Sequence, residues 1–300
     1  MKLSVFGSSN IIKHHIKAAK KNSFNIFGIY SSNKKSKNII ELANKFKIKK
    51  IYQDWELLIK DSVENNCSIL IAARIKDNKK ILENCLKHNL KVLVEKPVFC
   101  NSDEYNNFLK FKKKIFVGYN RIYYKNISKL NRIILNEKLF NVIVKCPEES
   151  KKNILLNSCH IISILYYLCG KIFLIKKVKN KNSIMCFFKT KSNVPICLNI
   201  NFGSPDNFLL EFNFKNKRAV LCPIEKLTIY NKLNKIKYRD ENVYKPNILE
   251  IVNEYKLSKL KPGFDTQYAN FKRFIKNKKS QHINITDAKK IMSICIKIIE

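Results

Sequence analysis

Lys96 is the residue best placed in this chain to do chemistry. It closes the run Lys91-Val92-Leu93-Val94-Glu95-Lys96-Pro97, where a short apolar β-type segment ends in a charged pair followed by proline. Proline fixes its own φ and disfavours helical backbone in the residue before it, so the ammonium group is expected at a defined angle beyond the strand's carboxyl end. Open α/β sheets bind their ligands along that edge. The second candidate is His160, in an amphipathic stretch where Asn157 and Ser163 lie three residues to either side on the same helical face. Ile161, Ile162, Leu165 and Leu168 make the buried face of that helix. An imidazole titrates near neutrality and can take up or return a proton. Cys159 is not read as a nucleophile, because sequence neighbours on a helix point in different directions.

A lysine at a strand end needs a sheet to hold it, and the first 120 residues supply the pattern. Lys2 to Phe6 reads as a buried strand, Gly7-Ser8-Ser9-Asn10-Ile11-Ile12 as a turn, and Lys13 to Lys21 as a helix. The dinucleotide fingerprint wants three glycines, for the tight turn, for close approach of a pyrophosphate and for helix-on-strand packing. Here only Gly7 is present, with Ser9 and Ile12 at the other two places. Serine leaves room for a phosphate, whereas Ile12 is expected to push the helix outward. The second strand, Phe24 to Tyr30, runs into Ser31-Ser32-Asn33-Lys34-Lys35, which lacks the carboxylate that ribose hydroxyls require. Hydroxyls and lysines there favour NADP over NAD.

The alternation continues through a helix at Ile39 to Phe46, a helix capped by Asp54 and an apolar strand at Ser68 to Ala72. A helix at about Asp77 to His88 leads to the strand before Lys96, Ser102 caps another helix, and Ile115 to Gly118 is the sixth strand. Strands and helices in this order imply a parallel, doubly wound sheet. Beyond Gly118 the pattern changes to a helix at about Asn126 to Asn136, a strand at Phe140 to Lys145 and the histidine-bearing helix at Ile154 to Leu168. Strands follow at Phe173 to Val178, Ile184 to Lys189, Pro195 to Asn201, Phe208 to Phe214, Arg218 to Cys222 and Leu227 to Tyr230, which predicts a mostly antiparallel sheet. The fold class is α/β, with a Rossmann domain over 1–120 and an α+β domain over 121–300. Helical stripes at Phe264, Tyr268, Phe271 and Ile275, and along Asp287 to Ile299, read as core.

Composition limits the classes of function. The 59 lysines and arginines outnumber 23 acidic residues, for a net charge of +36, yet the excess is lysine dispersed along the whole chain with no arginine cluster or aromatic-basic ladder. Nucleic acid is therefore not the expected partner, and anionic small molecules are. Ten scattered cysteines form no CxxC pair and no histidine stands at zinc-ligand spacing, so reduced, buried thiols and no metal are expected. No apolar run approaches the roughly twenty residues that cross a bilayer, and the first residues enter a strand directly, which places the protein in the cytosol as an expectation.

In several ordered motifs the chain resembles the glucose-fructose oxidoreductase / inositol dehydrogenase (Gfo/Idh/MocA) family. These are Gly7-Ser8-Ser9-Asn10-Ile11 with His15 downstream, Asp54-Trp55-Glu56-Leu57-Leu58, Val92 to Pro97, Val117-Gly118-Tyr119-Asn120-Arg121, and Asn157-Ser158-Cys159-His160 through Gly170. The resemblance implies an NAD(P)-dependent oxidoreductase in which Lys96 and His160 are catalytic, the latter as acid-base residue beside a sugar hydroxyl. It implies cofactor contacts from Gly7, Ser8, Ser9, Asn10, Ile11, Ser31, Ser32, Ala72, Ala73, Glu95 and Lys96, and substrate contacts from Tyr119, Asn120, Asn157 and His160. It also implies that the last helices pack back on the first domain, and that the second sheet carries substrate and joins subunits into a dimer or tetramer. Segments around Leu221 to Leu227 and Lys261 to Gln267 are similar to members linked to bacterial surface-polysaccharide sugars, so a sugar or nucleotide-sugar substrate is implied. Three departures stand out. Leu156 and Ser163 occupy the places where the family commonly has an aspartate, Asn78 stands where many members have histidine, and Arg121 falls one residue early. They support an alternative, a catalytically impaired member that senses a nucleotide or serves as a scaffold.

Overall fold

The computed structural model describes residues 1–33, 37–257 and 259–300. The chain begins β1 (Lys2–Phe6), α1 (Ile12–Lys21), β2 (Asn25–Tyr30), α2 (Lys37–Phe46), β3 (Ile51–Tyr52), α3 (Trp55–Glu64), β4 (Ser68–Ile71), α4 (Ile75–Lys87), β5 (Val92–Glu95) and, after a 3-10 segment at Asp103–Phe111, β6 (Ile115–Gly118). It continues with α5 (Lys125–Asn136), β7 (Leu139–Glu148), α6 (Lys151–Asn153), a π-helical turn at Ile154–Ser158, α7 (Cys159–Cys169), β8 (Ile172–Lys179), β9 (Ser183–Thr190), β10 (Pro195–Phe202), β11 (Leu209–Phe214), β12 (Arg218–Leu221), β13 (Lys226–Tyr238), β14 (Glu241–Asn253) and α8 (Glu254–Leu257). It ends with α9 (Phe264–Ile275), β15 (Ile283–Asn284) and α10 (Ile285–Ile299). Two compact units result, one of Met1–Asn120 with Gly263–Ile296, the other of Arg121–Pro262 with Lys297–Glu300.

The first unit is built on a seven-stranded sheet in the order β15-β6-β5-β4-β1-β2-β3, parallel throughout except where β15 runs antiparallel to β6. β1, β4, β5 and β6 are fully apolar or small inside, as strands covered by helices on both faces must be. The strand order reverses at β1, between β4 and β2, and this is where a doubly wound sheet opens a crevice. Asp54 caps α3 as its position predicts, its carboxylate accepting the Glu56 N–H at 2.8 Å. The cap expected from Ser102 is instead made by Asn101, whose side-chain carbonyl accepts the Asp103 N–H at 2.9 Å, and the segment it starts is 3-10 rather than α. α9 lays Phe264, Tyr268, Phe271 and Phe274 into the core, while Ile275, expected in that stripe, is half-exposed. Their rings join Phe24, Phe116 and His282 in one aromatic cluster.

The second unit holds an eight-stranded sheet in the order β14-β13-β12-β11-β7-β10-β9-β8, antiparallel except for the β10–β7 pair. One face buries Val142, Val144, Cys186, Phe188, Leu198 and Phe212. On the other face Ile143, Cys197 and Phe187 are cross-strand partners, and Ile143 and Phe187 are exposed. The strand expected at Leu227 to Tyr230 is the start of a thirteen-residue β13, paired with an equally long β14 that the sequence reading lacks entirely. Its cause is visible in the composition: beyond Tyr230 the hairpin outruns the four-residue β12 and buries neither face, so it carries no apolar alternation. Tyr238, Tyr244 and Leu233 are accordingly exposed along it.

His282 stacks on Phe116 with ring centroids 5.1 Å apart and meets Phe274 edge-on at 4.9 Å. Burial holds its imidazole below the usual histidine range, reinforced by Lys91 and opposed by the Ser280 carbonyl and Asp287. The folded protein therefore keeps this ring neutral while the unfolded chain takes up a proton near pH 6.5. Stability contributed here is intact above that pH and is lost as the pH falls below it. Urea unfolding at pH 7.5 and 5.5 will show a smaller acid-induced loss in His282→Gln than in the parent protein; equal losses would refute the assignment.

Candidate active site

The β1–α1 turn comes closest to the backbone of a neighbouring strand. Gly7 has φ +130°, and a β-carbon placed there would lie 2.3 Å from the Ala72 carbonyl oxygen at the end of β4. Only glycine satisfies both conditions. The turn opens a cleft of about 350 Å³ at the strand-order reversal. Gly7, Ser8 and Ser9 form one wall, Tyr30, Ser31 and Ser32 the end of β2, and Ala72, Ala73, Arg74 and Asp77 the opposite side. Seven of the residues expected at the cofactor are thus gathered in one place. Asn10 lines an adjoining cleft of about 190 Å³ together with Ser8, Ser9, Lys13 and Lys45, while Ile11 lines neither.

The cleft's chemistry fits a dinucleotide. Ile11 precedes α1 with helical backbone angles, and no side chain caps the helix, which suits an anion at its positive end. Ile12, expected to disturb packing, is completely buried at the first turn. Ser31 donates to Ser8 at 3.3 Å and to the Asn33 carbonyl at 3.1 Å, tying the β2 end to the glycine turn. Lys34 and Lys35, read as partners of a 2′-phosphate, lie outside the described residues. Sequence reasoning missed Tyr30, Asn38, Arg74 and Asp77 as lining residues. For the last two the signal was available, since Arg74 directly follows Ala73 and pairs with Asp77 at 3.0 Å across the first turn of α4.

Lys96 is the first residue beyond β5, half-buried, on the carboxyl edge of the same sheet. Contacts fix the chain on either side of it. Glu95 Oε1 lies 3.0 Å from His15 Nε2, and Asn78, buried on α4, donates to the Val98 carbonyl at 2.9 Å. The Phe99 N–H and carbonyl both meet the Tyr105 hydroxyl, at 3.3 and 3.1 Å. Asn78 therefore works as a clamp on the loop after Pro97. Glu95 and Lys96 do not line the cleft around Gly7, and Tyr119, directly after β6, is fully buried with Asn120 close to it in burial.

In the second unit the expected helix is continuous but not uniform, because a π-helical turn over Ile154–Ser158 widens it just before His160. Such turns recur at functional sites. The polar stripe predicted around His160 is not formed as expected. Ser163 is fully buried and donates to the His160 carbonyl at 2.6 Å, inside its own helix. Asn157 instead donates to Glu148 at 3.3 Å, and Ser158 donates to the other carboxylate oxygen at 2.5 Å. Glu148, only 5% exposed at the end of β7, is the acidic residue that the sequence reading missed. It lies outside the helix motif, twelve positions before His160, where no local spacing signals it. Its neighbour Cys146 has its thiol pushed up to about 12, chiefly by burial, with Ser158 pulling down and Glu148 pushing up. Cys159 is buried against the Leu156 carbonyl, and all ten cysteines are free thiols. Among the described residues no helix is long and apolar enough to cross a membrane.

A single-glycine turn opening onto the switch point of a parallel sheet defines a dinucleotide-binding Rossmann protein. Residues 1–119 match the model of the GFO_IDH_MocA oxidoreductase family, described by its NAD-binding Rossmann fold. Solved structures share the whole fold at low identity. The dehydrogenase MviM from Clostridium difficile is 17% identical with a TM-score of 0.78, covering 100% of this chain and 98% of its own. An oxidoreductase from Agrobacterium radiobacter, solved with NAD+, L-tartaric acid and magnesium, is 11% identical with a TM-score of 0.74 over 99% and 94%. The UDP-N-acetylglucosamine 3-dehydrogenase GnnA from Acidithiobacillus ferrooxidans is 10% identical with a TM-score of 0.75 over 99% and 96%. No protein of curated function matches the sequence.

Gly7→Ala will leave far-UV circular dichroism unchanged and weaken NADPH binding by about 100-fold, because the added methyl group displaces the turn from Ala72. Isothermal titration calorimetry measures it, and unchanged affinity would show that the cofactor does not use this turn.

Proposed function

We propose that this chain is an NAD(P)-dependent oxidoreductase that moves a hydride between the nicotinamide ring and a hydroxyl or keto carbon of a sugar or nucleotide sugar. One observation carries the reading. Lys96 stands on the same carboxyl edge of the first sheet as the cleft built around Gly7, with the preceding Glu95 in electrostatic contact with His15 and the following loop held by the Asn78–Val98 hydrogen bond. The bound cofactor supplies the hydride acceptor or donor.

The protein's own part is proton management and orientation. As a hydroxyl carbon loses its hydride, the hydroxyl proton must leave, and a base titrating near neutrality serves this best. His160, on a helix whose preceding turn is held by Glu148, takes that role. The Lys96 ammonium group, on the carboxyl edge of the first sheet, is the donor that stabilises alkoxide charge as it develops. Asn157, Tyr119 and Asn120 are the further candidates for sugar contacts. Arg74 and the hydroxyls of Ser8, Ser9, Ser31 and Ser32 favour phosphate groups on the cofactor, and NADP over NAD. The nucleotide-sugar assignment is supported by the +36 charge, which attracts anionic substrates, and by the whole-length fold likeness to GnnA. A role in surface-polysaccharide synthesis is the corresponding setting.

The second sheet's open face completes the proposal as a subunit contact. Ile143, Met185, Phe187 and Ile175 are all exposed on a sheet whose opposite face is core. A homo-oligomer buries them.

Fluorescence titration will show saturable NADPH binding, and screening sugars and nucleotide sugars will yield turnover. Lys96→Ala and His160→Ala will each lower kcat by about 100-fold while NADPH Kd stays within about threefold. Binding without turnover on any sugar would favour the nucleotide-sensing alternative, and no binding would remove both. Separately, light scattering will find a dimer or tetramer that Phe187→Lys splits into smaller species; a monomeric parent protein would refute the interface.

A further inference from the structure

We infer that His15, Glu95 and Tyr268 form a buried brace that sets the position of Lys96, so that α9, from the far end of the chain, is a positioning element for the residue at the β5 edge. The inference rests on reading Lys96 as the group that meets the substrate. It goes beyond that reading in assigning three residues that touch neither substrate nor reacting atoms.

His15 and Tyr268 are both fully buried, 253 positions apart in sequence. The Nδ1 of His15 lies 3.1 Å from the Tyr268 hydroxyl, and its Nε2 lies 3.0 Å from Glu95 Oε1, an electrostatic contact not well aligned for a hydrogen bond. The ring cannot turn freely, because Phe264 meets it edge-on at 4.8 Å and Tyr268 at 5.8 Å. On the other side, the Glu95 carboxylate fills the space where residue 118 would carry a side chain. A β-carbon on Gly118 would lie 2.7 Å from Glu95 Oε1. Glu95 and Gly118 are also paired across β5 and β6.

Two fully buried polar side chains and a partly exposed carboxylate facing them are costly, and apolar residues of similar size often fill such a volume without loss of stability. What these residues supply is direction. Glu95 is held from below by His15 and fitted over Gly118, so the backbone at its α-carbon is fixed just where the next residue, Lys96, leaves the strand. With Asn78 holding Val98, the backbone is anchored on both sides of the lysine's attachment. Reacting groups displaced by about 1 Å lose on the order of 100-fold in rate, which sets the scale of what such a brace controls.

The test uses the full chain and two independent readouts. The first is steady-state kinetics beside NADPH Kd. His15→Phe keeps a ring and removes both nitrogens, Gly118→Ala pushes the carboxylate aside, and Tyr268→Phe removes one oxygen. His15→Phe and Gly118→Ala are expected to lower kcat by about tenfold to 100-fold with Kd within about twofold, and their combination is no worse than the stronger single variant. His15→Gln, which keeps a polar group facing Glu95, restores most of the loss. The second readout is the NMR resonance of Lys96 after reductive methylation with 13C-formaldehyde, assigned through Lys96→Arg, which shifts in every brace variant. A parent-like kcat in folded variants, or losses that multiply in the double variant, overturn the proposal. If the parent protein turns over no sugar, the proposed activity fails but the brace is still judged by the Lys96 resonance, and an unmoved signal overturns it. Should His15→Phe or Gly118→Ala fail to fold, Tyr268→Phe decides, with an unmoved resonance against the brace.

Discussion

The Ala72 carbonyl leaves no space for a side chain at position 7, and the cofactor cleft depends on that approach. Two strands that end side by side at the order reversal can open a crevice only if the first turn stays clear of the second strand. A glycine at φ +130° satisfies this without help from the other two glycines of the usual fingerprint. Ser9 lines the cleft, and Ile12 joins the core at the foot of α1. A reduced glycine motif therefore coexists with an intact turn, since the three positions answer to different constraints and only the first is absolute.

Polar groups buried within each unit follow one logic. In the first, His15 and Asn78 flank the stretch from Glu95 to Val98; in the second, Asn157 and Ser158 converge on Glu148 one turn before His160. Each side chain at issue is attached to a backbone held by buried polar contacts rather than by apolar packing alone. Buried polar contacts are directional, and they restrict orientation where a methyl group would only fill space.

The alternation of strands and helices before residue 120 was legible because a parallel sheet covered on both faces writes itself as apolar runs between glycine and asparagine turns. Gly7, Ser8, Ser9, Ser31, Ser32, Ala72 and Ala73 were legible because the topology places the ends of β1, β2 and β4 together. What sequence could not convey was long-range. Glu148 reaches the helix from a neighbouring strand, and Tyr268 meets His15 from the opposite end of the chain. Ser163 was misread because helical spacing puts it on the face of His160 while its hydroxyl turns back to the helix carbonyl, a competition common to serine. The β13–β14 ribbon escaped notice because an unburied hairpin has no reason to alternate.

That ribbon ends the second sheet with β14, whose outer side has no partner strand among the described residues. An open edge of thirteen residues offers a template on which another chain can pair. Here the strand carries Lys245 followed by Pro246, a cation and a residue with no N–H to offer. A neighbouring molecule trying to zip onto it meets repulsion and a missing rung at mid-length. The lysine excess that says so little about catalysis thus has a protective use, keeping a long bare margin from recruiting its own kind.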